Sequence, residues 1–350
     1  MLHFFKGSAA FTAVCLLLGG WLGWWQSGSF GGTAEVLWIV LVLSLLEISL
    51  SFDNAVVNAA VLKDMEPLWR KRFLTWGMVI AVFGMRIVFP LAIVAIAASL
   101  GPVEALRLSL EQPERYEALV SGAHLSISGF GGAFLAMVGI RFFFDSDKQI
   151  HWIGTIERQL ARFGRIDAFG LSLLLVILVV IARGLTPDDG FHYLLAGMLG
   201  IACFVAVEAV GHWLEGDLGQ EGASGVNTAL ARAGLGGFIY LNVLDASFSF
   251  DGVIGAFALS NNMLVIALGL SIGAMWVRSL TIMLVEKGSL SEYRYLEHGA
   301  FWAILALAAI MLISPRVHTS ETVTGLIGAV LIAASLFWSV LRNRRERAAS

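Results

Sequence analysis

Glu47-Ile48-Ser49-Leu50-Ser51-Phe52-Asp53-Asn54 returns, without a gap, as Asp245-Ala246-Ser247-Phe248-Ser249-Phe250-Asp251-Gly252, at a constant offset of 198 residues. Acid, Ser, Ser, Phe and Asp all recur in register. Downstream of each copy a second pair recurs: Gly77 precedes Arg86 by nine residues, and Gly269 precedes Arg278 by nine. A Ser-Phe-Asp triplet alone would be a weak match, but five matched polar or aromatic positions plus a matched Gly and Arg identify a duplicated unit.

Both copies sit in strongly apolar surroundings. Of 350 residues 58% are hydrophobic and 14% charged, with a mean hydropathy of +0.80, whereas soluble domains run at roughly 45–50% and about 25%. The excess needs the bilayer as solvent. Apolar windows near 8–25, 35–62, 73–99, 117–140, 169–183, 191–213, 233–259, 263–284, 298–314 and 321–341 predict an all-α polytopic helical bundle of about ten spans. The expected organisation is an N-terminal helix (1–30), a first membrane half (31–183) and a second, inverted half (184–341), closed by a basic tail (342–350). The N-terminal stretch has the make-up of a signal anchor, and no convincing small-x-small cleavage site precedes Gly28, which favours a retained helix. Cys15 and Cys203 both fall in apolar runs, which excludes a disulfide framework. A near-balanced net charge of -3 gives no sign of a nucleic-acid partner.

The placement of the charges orients the chain. Of 23 Lys and Arg, 17 fall in loops on the side of the N-terminus and 4 in loops on the other, with Arg86 and Arg278 inside spans. The positive-inside bias then puts both termini in the cytoplasm, in a multi-pass protein of the plasma membrane, the inner membrane of a Gram-negative cell. The two motif copies lie in spans two and seven and so cross the membrane in opposite directions. Transporters with inverted repeats place substrate near the midplane, often at a broken helix, and Asp53-Asn54 and Gly252 are the expected breaks. The charged segment 141–168 places Trp152, Ile153, Ile156, Leu160 and Phe163 opposite Glu157, Arg158 and Arg162, an amphipathic connector on the cytoplasmic surface. The basic tail is expected to touch anionic headgroups.

On a helix Glu47, Ser51, Asn54 and Asn58 share one face, with Asp53 and Ser49 beside it. The second copy offers Asp245, Ser249 and Gly252, with Ser247 and Asp251 adjacent. Four carboxylates in hydrocarbon would cost on the order of 10 kcal/mol, so they must face protein or water. Arg86 and Arg278 compensate two of them, and one divalent cation or added protons would compensate the rest. Carboxylate, amide and hydroxyl oxygens suit hard ions such as Mn²⁺, Mg²⁺ or Ca²⁺. The competing reading is that these polar groups hold helices together. Glu208 and His212 form a secondary i,i+4 pair with metal-ligand spacing. His124 and His298 sit at the starts of two spans as interfacial residues.

At these residues the sequence resembles the TerC-type integral membrane proteins, the tellurium-resistance protein C superfamily, and more narrowly a branch known only as a conserved membrane domain of unknown function. The likeness runs from about residue 35 to 341. It implies divalent cation handling, best exemplified by manganese export, with resistance to metal or tellurite stress by association. Carried over by position, Glu47, Asp53, Asn54, Asp245 and Asp251 are the implied metal residues, and Gly252 departs from the Asn54 pattern. The expected function is a transporter moving a divalent metal outward. In it Asp53 and Asp251 coordinate the ion, Glu47 and Asp245 act as ligands or proton carriers, and Arg86 and Arg278 tune the field. The metal is substrate, and no tightly bound cofactor is expected. No Gly-x4-Gly-Lys loop supports ATP-driven pumping, and neither a His-Glu-x-x-His helix nor a Gly-x-Ser-x-Gly elbow supports an enzyme. The alternative is a membrane scaffold or assembly factor in metal or tellurite stress. The expected partners are membrane lipid, the metal ion and either a second copy or another membrane protein.

Overall fold

A computed structural model describes residues 2–63, 65–77, 79–145, 148, 150–163, 168–216, 234–257, 259–317 and 321–349. The fold is an all-α bundle. Its helices are α1 (Lys6–Ser27), α2 (Phe30–Leu50), α3 (Phe52–Leu62), α4 (Pro67–Arg72), two π-helical pieces (Phe73–Gly77 and Ile80–Val88), α5 (Phe89–Ala97), α6 (Pro102–Glu111), α7 (Pro113–Gly122), α8 (His124–Phe143), α9 (Gly154–Phe163), α10 (Phe169–Ala182), α11 (Pro187–Gly216), α12 (Leu235–Phe257), α13 (Met263–Glu286), α14 (Ser289–Glu292), α15 (Leu296–Ile313) and α16 (Glu321–Ala349). Among the described residues, seven helices are long and apolar enough to cross a membrane, and an eighth span results if the pair Pro67–Gly77 and Ile80–Ile96, bent by 42°, counts as one. The chain is an integral, multi-pass membrane protein.

Local chemistry sets the helix ends. Ser29 caps α2 by accepting from the Gly32 amide, and Asn262 caps α13 by accepting from the Leu264 and Val265 amides, which satisfies donors that a helix start leaves unpaired. Gly28 and Gly288 take left-handed φ values of 58° and 64°, where a Cβ would be strained. In the wide turns of Ile80–Val88 the Phe89 amide reaches back to the Gly84 carbonyl, and Pro90 then supplies no N–H for the next bond.

The outer face is apolar: Leu17, Trp21, Trp38, Ile96, Val330 and Phe337 are all exposed, as lipid-facing positions require. Inside, a large cluster joins α8, α11 and α15 around Phe134, Phe204 and Phe301, and a smaller one joins Tyr116, Phe257 and Ile266. The N-terminal helix is tied in by polar contacts to α13, with Ser8 and Ser279 hydroxyls 2.7 Å apart and the Trp276 indole donating to Thr12 at 3.0 Å.

Two ends of the bundle are distinguishable by contact. At one, Lys63 pairs with Glu297, Arg294 with Glu346, and His298 approaches Glu157. At the other, Arg316 donates to the carbonyls of Val180 and Ile181. The basic loops predicted to share a side therefore meet in space. The first motif copy runs toward the basic end, where α3 stops at Lys63. The second starts there, since Gly234 abuts the Trp69 ring, and runs to Phe257 beside Tyr116 at the far end. The two copies are antiparallel, as an inverted repeat demands.

Four expectations are corrected. The first copy breaks at Ser51 (φ -100°, ψ 18°), two residues before the expected Asp53-Asn54, but the second does not break: α12 continues through Gly252 to Phe257. The fourth span begins at His124 rather than 117, because Pro113 opens a separate helix whose Tyr116 and Val120 are buried against other elements. Glu157 is not on a solvated face. It is buried, accepts from the Trp152 and Ile153 amides and the Trp302 indole, and lies 3.6 Å from His151 and from His298. His298 is correspondingly a buried residue whose Nε2–H donates to the Ile150 carbonyl at 2.8 Å, not an interfacial one.

Candidate functional site

The break at Ser51, the π-helical turns before Arg86, the middle of α12 and the small-residue face of α13 converge on a cavity of about 40 Å³. That volume admits a dehydrated ion with a water or two. Glu47, Ser51, Asn54, Asn58, Arg86, Asp245, Arg278 and Thr281 line it. The sequence brought seven of these eight forward; Thr281 carries no signal outside the structure.

Helices α2 and α13 approach closely beside Glu47. At Gly269 an added Cβ would collide with the Cβ of Leu43, and at Gly273 with the side chain of Glu47 and, at 3.0 Å, with the Ser44 carbonyl. Only the missing side chains let α13 lie against α2 here. The Gly269-x3-Gly273 spacing is a legible small-residue packing signature, although only the Gly269 half entered the repeat.

Glu47 is held from within its own half, Asp245 by residues of the other half with Arg278 of its own nearby. Glu47 accepts from the Ser51 hydroxyl at 2.9 Å, one turn on, and pairs with Arg86, which also donates to the Ala81 carbonyl at 3.2 Å. Both members of that pair are buried. Asp245 accepts from the Asn54 and Asn58 amides, each at 2.8 Å on the same oxygen. Arg278 lies within electrostatic reach of Asp245 and donates to the Phe73 carbonyl at 3.3 Å. Five polar atoms here are buried without a hydrogen-bond partner: Asn54 Oδ1, Asn58 Oδ1, Ser249 Oγ, Arg86 Nε and Arg278 Nη2. Such atoms are costly when left unpaired.

The repeat persists in these contacts. Ser49 bonds back to the Leu45 carbonyl at 2.8 Å, and its counterpart Ser247 bonds to the Val243 carbonyl at 3.0 Å. Asn54 reaches across to Asp245. Its counterpart Gly252 faces Glu47, the counterpart of Asp245: a Cβ at Gly252 would stand 3.0 Å from Glu47 Oε2. The cross-facing arrangement is therefore symmetric while its chemistry is not. Asp245 is met by amides, Glu47 by a guanidinium.

The expected partition of roles changes at Asp53. Its carboxylate accepts from the Asn54 backbone N–H at 2.9 Å and faces α16, where a Cβ at Gly328 would stand 3.4 Å away. It does not line the cavity, because it lies on the adjacent face of the helix. The described cavity thus holds two carboxylates against two guanidiniums, and the expected deficit of two charges does not arise there. The side chain of Asp251 lies outside the described residues, as does that of His212; Arg232 lies outside them altogether. Glu208 stands away from the cavity and pairs with Arg141 at 3.0 Å. Among the described residues no group of three or more His, Cys, Asp or Glu side chains converges as a metal site would.

Fold and site together define a polytopic membrane protein with a buried, charge-paired polar centre between two antiparallel halves. Residues 52–346 match the family described as "Protein of unknown function (DUF475)", and the chain belongs to that family. No curated protein and no solved structure matches it.

Proposed function

We propose that the protein is a secondary transporter of a small hard cation, a divalent metal such as Mn²⁺, exported through the cavity between Glu47 and Asp245. The observation that carries this reading is the pair of buried, unpartnered amide oxygens, Asn54 Oδ1 and Asn58 Oδ1, beside a carboxylate. Acceptor oxygens left unpaired in the interior of an inverted repeat suit an ion that sheds its water there. The resemblance to TerC-type proteins points the same way. In the charge-paired arrangement Arg86 occupies the place of a cation at Glu47, so loading requires the guanidinium to turn away. Arg86 and Arg278 then act as tethered counter-charges that return when the ion leaves. Protonation of Glu47 is a natural coupled step, because it too releases the Arg86 guanidinium. The basic end faces the cytoplasm in this reading.

The equal numbers of carboxylates and guanidiniums favour a second reading, a membrane scaffold in metal or tellurite stress whose polar centre fixes helix packing. Flux of Mn²⁺, Mg²⁺ and Ca²⁺ in proteoliposomes separates the two. The wild-type chain is expected to move at least one of them, with flux reduced more than tenfold in Asp245→Asn. Absence of flux for all three in folded wild-type protein would overturn transport and leave the scaffold.

A further inference from the structure

A second recess, of about 850 Å³, opens at the basic end between α9, the start of α15 and the last turns of α16. Four arginines from three places in the chain converge on it: Arg158, Arg294, Arg342 and Arg345. One carboxylate among its lining residues, Glu346, faces them, and a single oxygen of it serves both Arg294 at 3.4 Å and Arg342 at 3.0 Å. Arg345 pairs with no acid among the described residues, and Arg158 spends only its Nε, on the Gly154 carbonyl at 2.6 Å. The recess carries a formal excess of three positive charges. Arginines in the last turn of a helix complement its dipole, but Arg158 and Arg294 come from other elements, so a helix cap does not account for the convergence.

The walls are aromatic: Trp152, Tyr295 and Trp338. Trp338 is 57% exposed and continues the outward apolar face of α16 through Phe337, Val330 and Leu326. A ligand here has an anionic end among guanidiniums and an apolar end on a lipid-facing helix. We propose that this recess binds the headgroup of an anionic phospholipid, with the phosphate held by Arg158 and Arg345 and the acyl chains laid along α16. Guanidinium forks match phosphate oxygens bidentately, Trp and Tyr favour the headgroup level, and basic pockets between spanning helices are a recurring lipid-headgroup site. The volume exceeds what one inorganic phosphate fills and falls in the range of specific small-ligand pockets. Bound there, the lipid ties α9 to α16 and so fixes this amphipathic connector to the transmembrane body.

Native mass spectrometry of the full-length, delipidated protein in detergent, titrated with phosphatidylglycerol or phosphatidylcholine, tests this. Phosphatidylglycerol is expected to bind at least tenfold tighter than phosphatidylcholine. Each of Arg158→Gln and Arg345→Gln is expected to weaken it about fivefold, Arg345→Lys less, and Arg115→Gln at the opposite end not at all. Equal weakening by Arg115→Gln would reduce the effect to general surface charge and overturn the site. Full displacement by millimolar glycerol phosphate would assign the recess to a soluble phosphate instead of a lipid, and overturn the proposal equally.

Discussion

Removing Glu47 and Arg86 separately and together measures what the centre is for. Arg86 is 5% exposed; its Nη2 pairs with Glu47, its Nη1 reaches the Ala81 carbonyl at 3.2 Å, and its Nε has no partner. Glu47→Gln leaves that guanidinium buried without its carboxylate, a change that typically costs about 3–5 kcal/mol. Asp245 lies within electrostatic reach of Arg86, which places the cost near the lower figure, about 3 kcal/mol. Arg86→Met strands Glu47 with only the Ser51 hydroxyl at 2.9 Å, again costing about 3 kcal/mol. The double variant strands nothing, and buried ion pairs replaced by neutral groups of similar size are often nearly neutral, so its expected loss is about 1 kcal/mol. Reversible SDS titration of the purified protein would then show a coupling of about 5 kcal/mol, well above what separated residues give. A double variant destabilised by the full sum of about 6 kcal/mol would refute the pairing. Because the double variant folds, it also serves the flux assay: transport predicts loss of metal movement in a stable protein.

Gly273→Ala drives a methyl into the Glu47 side chain and the α2 backbone; destabilisation of about 1–3 kcal/mol is expected in the same titration, and an unchanged midpoint would contradict the close approach. Asn58→Ala removes one of the two amides on Asp245 and should cost about 1–2 kcal/mol, with any metal affinity falling alongside; wild-type behaviour in both would remove Asn58 from the site. Burial holds the Lys148 ammonium down to about 7 from its ordinary 10.5, against the opposing pull of Glu157, Glu297 and Asp145. Between pH 7 and 10.5 the unfolded chain therefore binds a proton that the folded chain does not. Stability should rise with pH through that window, by at most about 1.4 kcal/mol per pH unit, with the full penalty present below pH 7. Thermal unfolding from pH 6.5 to 9 checks this, and Lys148→Met should flatten the slope and raise the midpoint at the acid end.

Much of this architecture is legible in the sequence because two signals are strong. Apolar windows locate the helices, and the repeated acid-x-Ser-x-Ser-Phe-Asp unit, with charge bias, gives their antiparallel sense. What the sequence hides is which face meets which neighbour. Glu47 and Asp53 are both acids of one motif on adjacent helix faces, and only the packing shows that one face lines the cavity while the other meets α16. Periodicity places residues on faces of a helix and does not say what those faces touch. Glu157 escapes for a related reason: its amphipathic segment looks solvated on its polar side, and only the packing of Trp302 and His298 from a distant span buries that side.

The departure at Gly252 is the most informative asymmetry. If both halves carried the amide, Glu47 and Asp245 would be equivalent acceptors and neither would need a counter-charge to be buried. With glycine at 252 and alanine at 256, the second half offers Glu47 no amide at all. With the Ser51 hydroxyl as its neutral donor, the buried Glu47 carboxylate calls for a cation, and Arg86 fills that need from a π-helical segment, a form of helix that often marks functional positions. Asp245 is met instead by two side-chain amides, without a direct ion pair. One acid is thus bound by rigid groups and the other by a long, rotatable one. The proposed transport would use that difference: one wall holds the ion and one movable charge lets it go, so a variant that fixes the Arg86 side should bind metal and not release it.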